Sequence, residues 1–177
     1  MDLIRVGDKL VSKRKIAGTI DRVLSLRSEG LSQTEAANAI GIDRSFVSRL
    51  ETIGEIRKGS KIGLIGFPVA NKDELIELCQ RKALDKYWIM NDEDRWEYID
   101  KQNGRSLLNE FTTIISEWGS LDYVIFIGSD LRIKMMEPVF GSKGIGIEIG
   151  KSPIKEDVEL DLVYLGDLID GIKTRRN

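Results

Sequence analysis

The fold is constrained most by residues 31–51, whose small and apolar positions fit two short helices packed at a steep angle. Ala37 is the small side chain that a close helix crossing requires, and Gly41 permits the turn between the helices. Asp43 is placed to cap the second helix. Three apolar residues at helical spacing are predicted to face the core: Ile40, Val47 and Leu50. The segment therefore predicts a helix pair with a polar outer face.

The outer face of the second helix is polar and basic. Throughout its length the segment resembles the helix-turn-helix of the XRE family, the Cro and phage-repressor type of transcriptional regulator. The resemblance implies that Gln33 bonds a DNA phosphate, and that Arg44, Ser45 and Arg49 face base edges in the major groove, with Ser48 also pointing outward. An arginine fork pairs with the two acceptors of guanine, so a guanine preference should come from Arg44 or Arg49.

The same pattern is also typical of helical hairpins that bind no nucleic acid, in which the polar face is merely solvated. The small residue, the turn glycine, the cap and the outward arginines all lie at the spacing that DNA binding requires, and this agreement favours the DNA-binding interpretation.

The segment before this pair predicts a first helix that ends near Gly30. Its basic start, Lys13, Arg14 and Lys15, either lies along a phosphate backbone or is a solvated helix end. Residues 1–12 are compatible with an extended arm or with a short strand, and the pattern does not distinguish them. After Glu51 the chain departs from the phage-repressor pattern, since a strand-like segment replaces the further helices of that family.

The charge is distributed unevenly along the chain. The formal net charge is −2, but residues 1–60 hold 11 Lys and Arg against 8 Asp and Glu, whereas residues 61–177 hold 16 against 21. The excess of three positive charges is modest for a nucleic-acid binder, so affinity from phosphate neutralisation should be weak and salt-sensitive. A homodimer would double these contacts.

The composition argues against several kinds of catalytic and metal site. The chain has no histidine and one cysteine, Cys79, which argues against zinc sites, histidine acid–base pairs and the usual catalytic triads. Cys79 fits the buried stripe of an amphipathic helix. No apolar run approaches the roughly 20 residues of a membrane span, and residues 1–5 do not resemble a signal peptide. We expect a cytoplasmic protein that is not an enzyme and needs no cofactor, metal or membrane.

From residue 61 the pattern alternates between strands and helices. Strands are predicted at 62–67, 87–90, 123–127, 145–149 and 160–165, and helices at 71–84, 104–118 and 167–173. Such alternation implies parallel βαβ units. The predicted fold class is α/β: an N-terminal all-α helix-turn-helix domain (1–59) and a C-terminal Rossmann-like or flavodoxin-like, mainly parallel sheet of about five strands (60–177).

Ligands of open parallel sheets lie beyond the carboxyl ends of the strands. The loops predicted at that edge supply five candidate ligand-binding residues: Gly66, Asn71, Asn91, Ser129 and Asp130. The alternative is that these are turn and capping residues. The acidic residues at 92–94 and 100 are better explained as a solvated loop than as a cation site, and the glycine-rich residues 141–150 as a hairpin or strand.

The large apolar side chains of the second half have two interpretations. Trp88, Trp96 and Trp118 are expected to fill the core, with Trp96 as a candidate interface residue because charges surround it. Met135, Met136 and Phe140 form either a patch that joins two protomers or part of the monomer core.

The sequence as a whole predicts a transcriptional regulator that binds double-stranded DNA as a homodimer. The C-terminal domain would dimerise, sense a small-molecule effector, or both. Two alternatives stay open. In one, the α/β domain is a small-molecule or nucleotide-binding enzyme and the helical domain is a tether; in the other, the α/β domain is a protein-interaction module.

Overall fold

The computed structural model describes residues 2–56 and 59–173, apart from the side chains of Arg105, Leu107, Leu108, Glu110 and Phe111. The chain forms two compact units, Met1–Ile56 and Arg57–Asn177, called unit 1 and unit 2 below.

Unit 1 is a β-hairpin followed by three helices. Its elements are β1 (Leu3–Val6), β2 (Lys9–Ser12), α1 (Lys13–Ser28), α2 (Gln33–Ile40) and α3 (Arg44–Gly54). The two strands pair antiparallel across a turn in which Gly7 has a φ of +59°, a value that suits glycine in two-residue hairpin turns. The prediction of an all-α N-terminal domain is therefore wrong, because the residues left open between arm and strand form a hairpin.

The three helices begin and end where the sequence predicts. Ser32 and Glu35 form a capping box at the start of α2, Gly41 ends that helix with a φ of +76°, and the Asp43 carboxylate caps α3 by accepting from the Ser45 amide at 2.7 Å. Ala37 is 1% exposed and packs with two fully buried valines. The helix core consists of Val23, Ala37 and Val47, with Ile40, Ile42 and Leu50 packed against it.

Unit 2 is an α/β fold with a parallel sheet. Its elements are β3 (Ile62–Gly66), α4 (Lys72–Arg81), β4 (Lys86–Ile89), α5 (Asp92–Asp100), α6 (Gly104–Trp118), β5 (Tyr123–Ser129), α7 (Asp130–Phe140), β6 (Gly144–Gly150) and α8 (Leu162–Ile172). The strand order is β4-β3-β5-β6, and all three pairs are parallel. The chain runs from β3 outward to β4 and then crosses to β5 on the other side. The strand order thus reverses between β3 and β5, where ligands of such sheets bind.

The strand predicted at 160–165 does not form, so the described sheet has four strands rather than about five. Asp161 is the reason, because its carboxylate accepts from the amides of Val163 and Tyr164 and starts α8 there. Leu165, Ile169 and Ile172 are then buried at helical spacing. The helix predicted at 167–173 is the second half of this longer helix.

Two other predictions concern local structure. Residues 91–94 are not a loop: Asn91 caps α5, and the acidic run is its first turn, where carboxylates favour the positive end of the helix dipole. The glycine-rich residues form β6, preceded by a 3-10 turn at Gly141–Lys143. Here the prediction of a strand is confirmed.

Helices cover both faces of the sheet. One face packs against α4 and α8 around Leu64, Ile125 and Ile169. On the other face lie Ile65 and Phe126, and the core there includes Trp118 and Phe140. Within residues 2–56 and 59–173, no helix has the length and apolarity needed to cross a bilayer.

Some of the tryptophan and methionine side chains predicted for the core are buried, and others are exposed. Trp118 is 6% exposed and Trp88 packs against the same core, whereas Trp96 is 53% exposed, so the core prediction is wrong for that residue. Met136 and Phe140 lie in or against the core, but Met135 is 64% exposed. The exposed apolar row of α7 consists of Leu131, Met135 and Val139, spaced four residues apart.

Candidate functional site

The predicted base-contacting residues lie on one side of α3. Arg44, Ser45, Ser48 and Arg49, together with Asp43, line a shallow concavity of about 400 Å³. Arg44, Ser45 and Arg49 are exposed, and Ser48 is half-buried. Positions three and four apart share a helix face, which explains why these side chains converge while the opposite side packs into the core. We call Arg44, Ser45, Ser48 and Arg49 the α3 face.

A second groove joins the start of α1 to the start of α3. It holds about 570 Å³ and is lined by Lys15, Ile16, Thr19, Ile42, Asp43 and Phe46. Lys13, Arg14 and Lys15 are all exposed. Of the basic segment that begins α1, Lys15 therefore lies beside the N-terminus of α3.

Phe46 is a candidate that the sequence interpretation missed. Its side chain is 43% exposed in this groove, next to the α3 face. An aromatic ring in such a position can contact the thymine methyl group in the major groove. The available signal was helical spacing, because Phe46 is not among the positions predicted to face the core, which are Ile40, Val47 and Leu50.

Gln33 lies at the start of α2, but its amide has a partner inside the unit. The Gln33 Nε2 donates to Glu51 Oε2 at 2.8 Å, and the other oxygen of Glu51 accepts from Arg27 Nε in a short ion pair. Arg27 in addition donates to the carbonyl of Leu31. Hydrogen bonds from Arg27 and then Gln33 hold the pKa of Glu51 below its ordinary value. Gln33 Nε2 carries two protons, so one N–H is left for an outside acceptor.

In unit 2, Asn71 and Asn91 have structural partners. The Asn71 side chain bonds both backbone groups of Leu160, donating at 3.0 Å and accepting at 2.9 Å. The Asn91 side chain accepts from the Asp94 amide at 2.8 Å as the cap of α5. The capping interpretation is thus confirmed for Asn91, whereas the Asn71 side chain makes no cap bond and instead joins the start of α4 to Leu160.

Gly66, Ser129 and Asp130 lie at the carboxyl ends of β3 and β5. The Gly66 carbonyl accepts from the Met90 amide. Asp130 accepts from the amides of Ser152 and Leu131. These two bonds lower the pKa of Asp130, and the bond from Ser152 has the larger effect. The Ser129 residue is 1% exposed, and its hydroxyl has no hydrogen-bond partner. Of the five predicted residues, Ser129 is therefore the one with a buried side-chain polar atom that has no partner.

An apolar cavity of about 330 Å³ lies on the face of the sheet that also bears Trp118. Its walls include side chains of the sheet, of α6 and of α7: Ile65, Trp88, Phe126, Ile114, Ile133 and Met136. Phe67, which follows β3, and Gly128, near the end of β5, also line it. The cavity therefore reaches the point where the strand order reverses. Its volume is at the small end of the range of about 300–1,000 Å³ for small-molecule sites.

Arg132 of α7 is the charged residue in the described wall of this cavity. Its guanidinium carbon is 4.6 Å from the centre of the Phe67 ring, and its Nη1 is 3.5 Å from the Phe67 carbonyl. No carboxylate of the described side chains forms an ion pair with it. Burial, and then repulsion from Arg95, lower the pKa of Arg132.

Arg95 of α5 is the second guanidinium near this edge. Its Nη2 pairs with Asp92 at 2.5 Å, while its Nε is buried without a partner. The same Asp92 carboxylate accepts from the Trp96 indole at 3.1 Å. The sequence interpretation missed both arginines, because it looked for binding residues in loops and these lie on helices.

The acidic run does not assemble a cation site. Asp92 pairs with Arg95, and Asp94 pairs with Lys72 at 2.5 Å, which lowers the pKa of Asp94. Among the described residues, no three acidic or cysteine side chains come close enough to hold a metal ion. Cys79 is buried, and burial raises its thiol pKa to about 12.

Comparisons with known protein families, with characterised proteins and with solved structures found no match for this chain.

Proposed function

We propose that this chain is a sequence-specific DNA-binding regulator of transcription and not an enzyme. Residues 43–51 would lie in the major groove, with Arg44 and Arg49 bonding guanine and Ser45 and Ser48 bonding other base edges. The observation that supports this most directly is the α3 face, where four polar residues share one concave surface on the outside of a helix.

The surroundings of the α3 face agree with a docking role. Lys15 lines the groove beside it, so Lys13, Arg14 and Lys15 could neutralise phosphates flanking the base contacts. The free N–H of Gln33 is suited to a phosphate oxygen. Glu51 would then hold Gln33 in position, since its carboxylate fixes the other proton of the same amide.

A dimer completes the proposal, because the excess of positive charge in residues 1–60 is small and two copies double the phosphate contacts. The exposed row Leu131, Met135 and Val139 on α7 is a candidate contact between two copies of unit 2. The role of unit 2 would then be dimerisation, effector sensing, or both.

Selection of genomic DNA fragments by the full chain at two salt concentrations tests this function. The wild type should enrich a two-fold symmetric sequence, and Arg44→Ala/Arg49→Ala should lose that enrichment. The double variant Lys9→Ala/Arg22→Ala removes the same charge from exposed positions of unit 1 and serves as the control. It should weaken all binding slightly and keep the selected sequence.

The single variant Arg44→Ala should cost about 1–3 kcal/mol at the selected site and relax one base preference. An equal loss on selected and random DNA would contradict the base-contacting role. Unselective binding that Arg44→Ala/Arg49→Ala shares with the wild type would contradict the proposed function itself.

A further inference from the structure

The geometry points to a ligand for the cavity of unit 2: we propose that it binds a small organic monocarboxylate, with the carboxylate on Arg132 and the apolar body between the sheet, α6 and α7. Binding of this anion stands independently of DNA binding, whereas its role as the effector rests on the proposed function.

The apolar body follows from the cavity wall. Apart from Arg132, the described lining side chains are aliphatic, aromatic or thioether groups. Burying a hydrocarbon or aromatic group against them would be favourable by about 25 cal/mol for each Å² removed from water. Trp88 is held in place by an edge-to-face contact with Tyr98 at 5.4 Å, so this wall is preorganised.

The charged head follows from Arg132. A half-buried guanidinium without an ion-pair partner is costly unless an anion compensates it. The guanidinium lies over the Phe67 ring, and its long 3.5 Å bond to the Phe67 carbonyl leaves donors that could form the two parallel bonds a carboxylate accepts.

The local charge balance favours a single negative charge. The charged groups that act on Arg132 are Arg95, which is positive, and Asp92, which is negative and pairs with Arg95, so these three groups together carry one net positive charge. A monocarboxylate brings the sum to zero. A phosphate dianion would leave an uncompensated charge beside an apolar wall, which is why a carboxylate fits better.

The ligand has a route into the cavity. Met135 lines the cavity and is 64% exposed, so the cavity wall reaches the protein surface at α7. Met135 is also part of the exposed row that is the candidate dimer contact. A ligand in the cavity would therefore touch a residue at the surface where two copies are proposed to meet.

Isothermal titration of the full chain with two matched ligand pairs tests the proposal: 3-phenylpropionate with its amide, and octanoate with its amide. Each pair has the same shape and differs in charge. At least one acid should bind, and its amide should bind at least tenfold more weakly, as expected for the loss of one charge-assisted hydrogen-bond pair. Equal binding of acid and amide, or no binding of either acid at millimolar concentration, would overturn the proposal.

Two variants locate the site. Arg132→Met should reduce acid binding to the level of the amide, and Met136→Trp, which fills the cavity, should abolish binding of both ligands. Arg81→Met removes an exposed arginine of α4 outside the cavity and should bind like the wild type. Unchanged acid affinity in Arg132→Met would overturn the carboxylate assignment. If that variant fails to fold, the acid-to-amide ratio of the wild type still decides.

Two further measurements separate this proposal from its alternatives. Sedimentation of Met135→Glu tests whether a second copy of the chain, and not a ligand, fills the cavity. If the wild type binds neither acid and the variant is monomeric, the cavity is assigned to the second copy. DNA binding with and without the bound acid tests the effector role. Acid binding with unchanged DNA affinity would reject that role and leave the ligand site intact.

Discussion

The Gln33 side-chain amide donates to the Glu51 carboxylate at 2.8 Å and so joins the first residue of α2 to the C-terminal half of α3. Arg27 of α1 binds the other oxygen of the same carboxylate. One acidic side chain thus ties together the three helices of unit 1. The residue that the sequence interpretation assigned to a phosphate is also part of the internal structure.

Gln33→Ala should weaken binding to selected and random DNA by the same factor, because a phosphate contact carries no sequence information. Glutamine has no charge, so the slope of log affinity against log salt should stay unchanged, whereas Lys13→Ala should reduce that slope by about 1. Filter binding or fluorescence anisotropy at several salt concentrations measures both. A loss confined to the selected sequence would instead mean that Gln33 acts by positioning α3.

The stability of unit 1 should fall at acid pH partly through Glu51. Its pKa is lowered below the ordinary 4.5 by hydrogen bonds from Arg27 and Gln33. The unfolded chain therefore binds more protons, so this contribution is complete above pH 4.5 and is lost as the pH falls through the lowered value. Amide exchange of α2 in the full chain should show that Glu51→Gln has a shallower acid loss than the wild type. Parallel pH curves would contradict this role.

Ala37→Leu should destabilise unit 1 by about 1–3 kcal/mol, because Ala37 is 1% exposed and packs with two fully buried valines, so that a larger side chain would overpack the helix core. Ala39→Leu is the matched control, since it makes the same substitution at an exposed position of the same helix. Urea denaturation, monitored by amide exchange of α2, compares the stabilities of the two variants. Equal stability of both variants would show that the helix crossing is not tight at Ala37.

The helices of unit 1 could be predicted because their signals are local. Ser32, Gly41 and Asp43 act within three or four residues of their own positions, and the small Ala37 lies at a spacing fixed by helix geometry. The hairpin was left undecided because its strands are four residues each and most of their side chains are exposed. They therefore lack the alternation between buried and exposed positions that identifies longer strands.

The candidate ligand site could not be predicted from local pattern. Arg132 and Phe67 are 65 positions apart in the chain and meet only because β3 and β5 are adjacent in the sheet. The false strand at 160–165 has a similar cause. An apolar run of that length fits a buried strand or a helix, and the Asp161 cap, which decides it, is a single residue.

Gly63→Ala should destabilise unit 2 by about 1–3 kcal/mol. A Cβ at this position of β3 would lie 2.6 Å from Leu121 Cδ1 and 2.7 Å from Trp118 Cζ3, too close for either side chain to stay in place. Gly171→Ala makes the same change in α8, where a Cβ would meet no described atom within 4 Å beyond its chain neighbours and its own helix backbone, and should be neutral or slightly stabilising. Thermal denaturation of the two variants gives the comparison. A melting temperature of Gly63→Ala equal to that of the wild type would mean that the sheet and α6 can separate at little cost.

The single cysteine should report the opening of unit 2. Cys79 is fully buried in α4, and burial raises its thiol pKa to about 12, so the reactive thiolate is almost absent at pH 8 in the folded protein. Iodoacetamide should therefore label it at least about a hundredfold more slowly than an exposed thiol. The thiol reacts only after unit 2 opens, and each 1.4 kcal/mol of free energy needed for that opening slows labelling tenfold. Ser116→Cys in a Cys79→Ala background places a thiol at an exposed position of α6 and supplies the reference rate. Labelling of Cys79 should accelerate through the urea transition of unit 2, and labelling at the reference rate without urea would contradict the packing of α4 against the sheet.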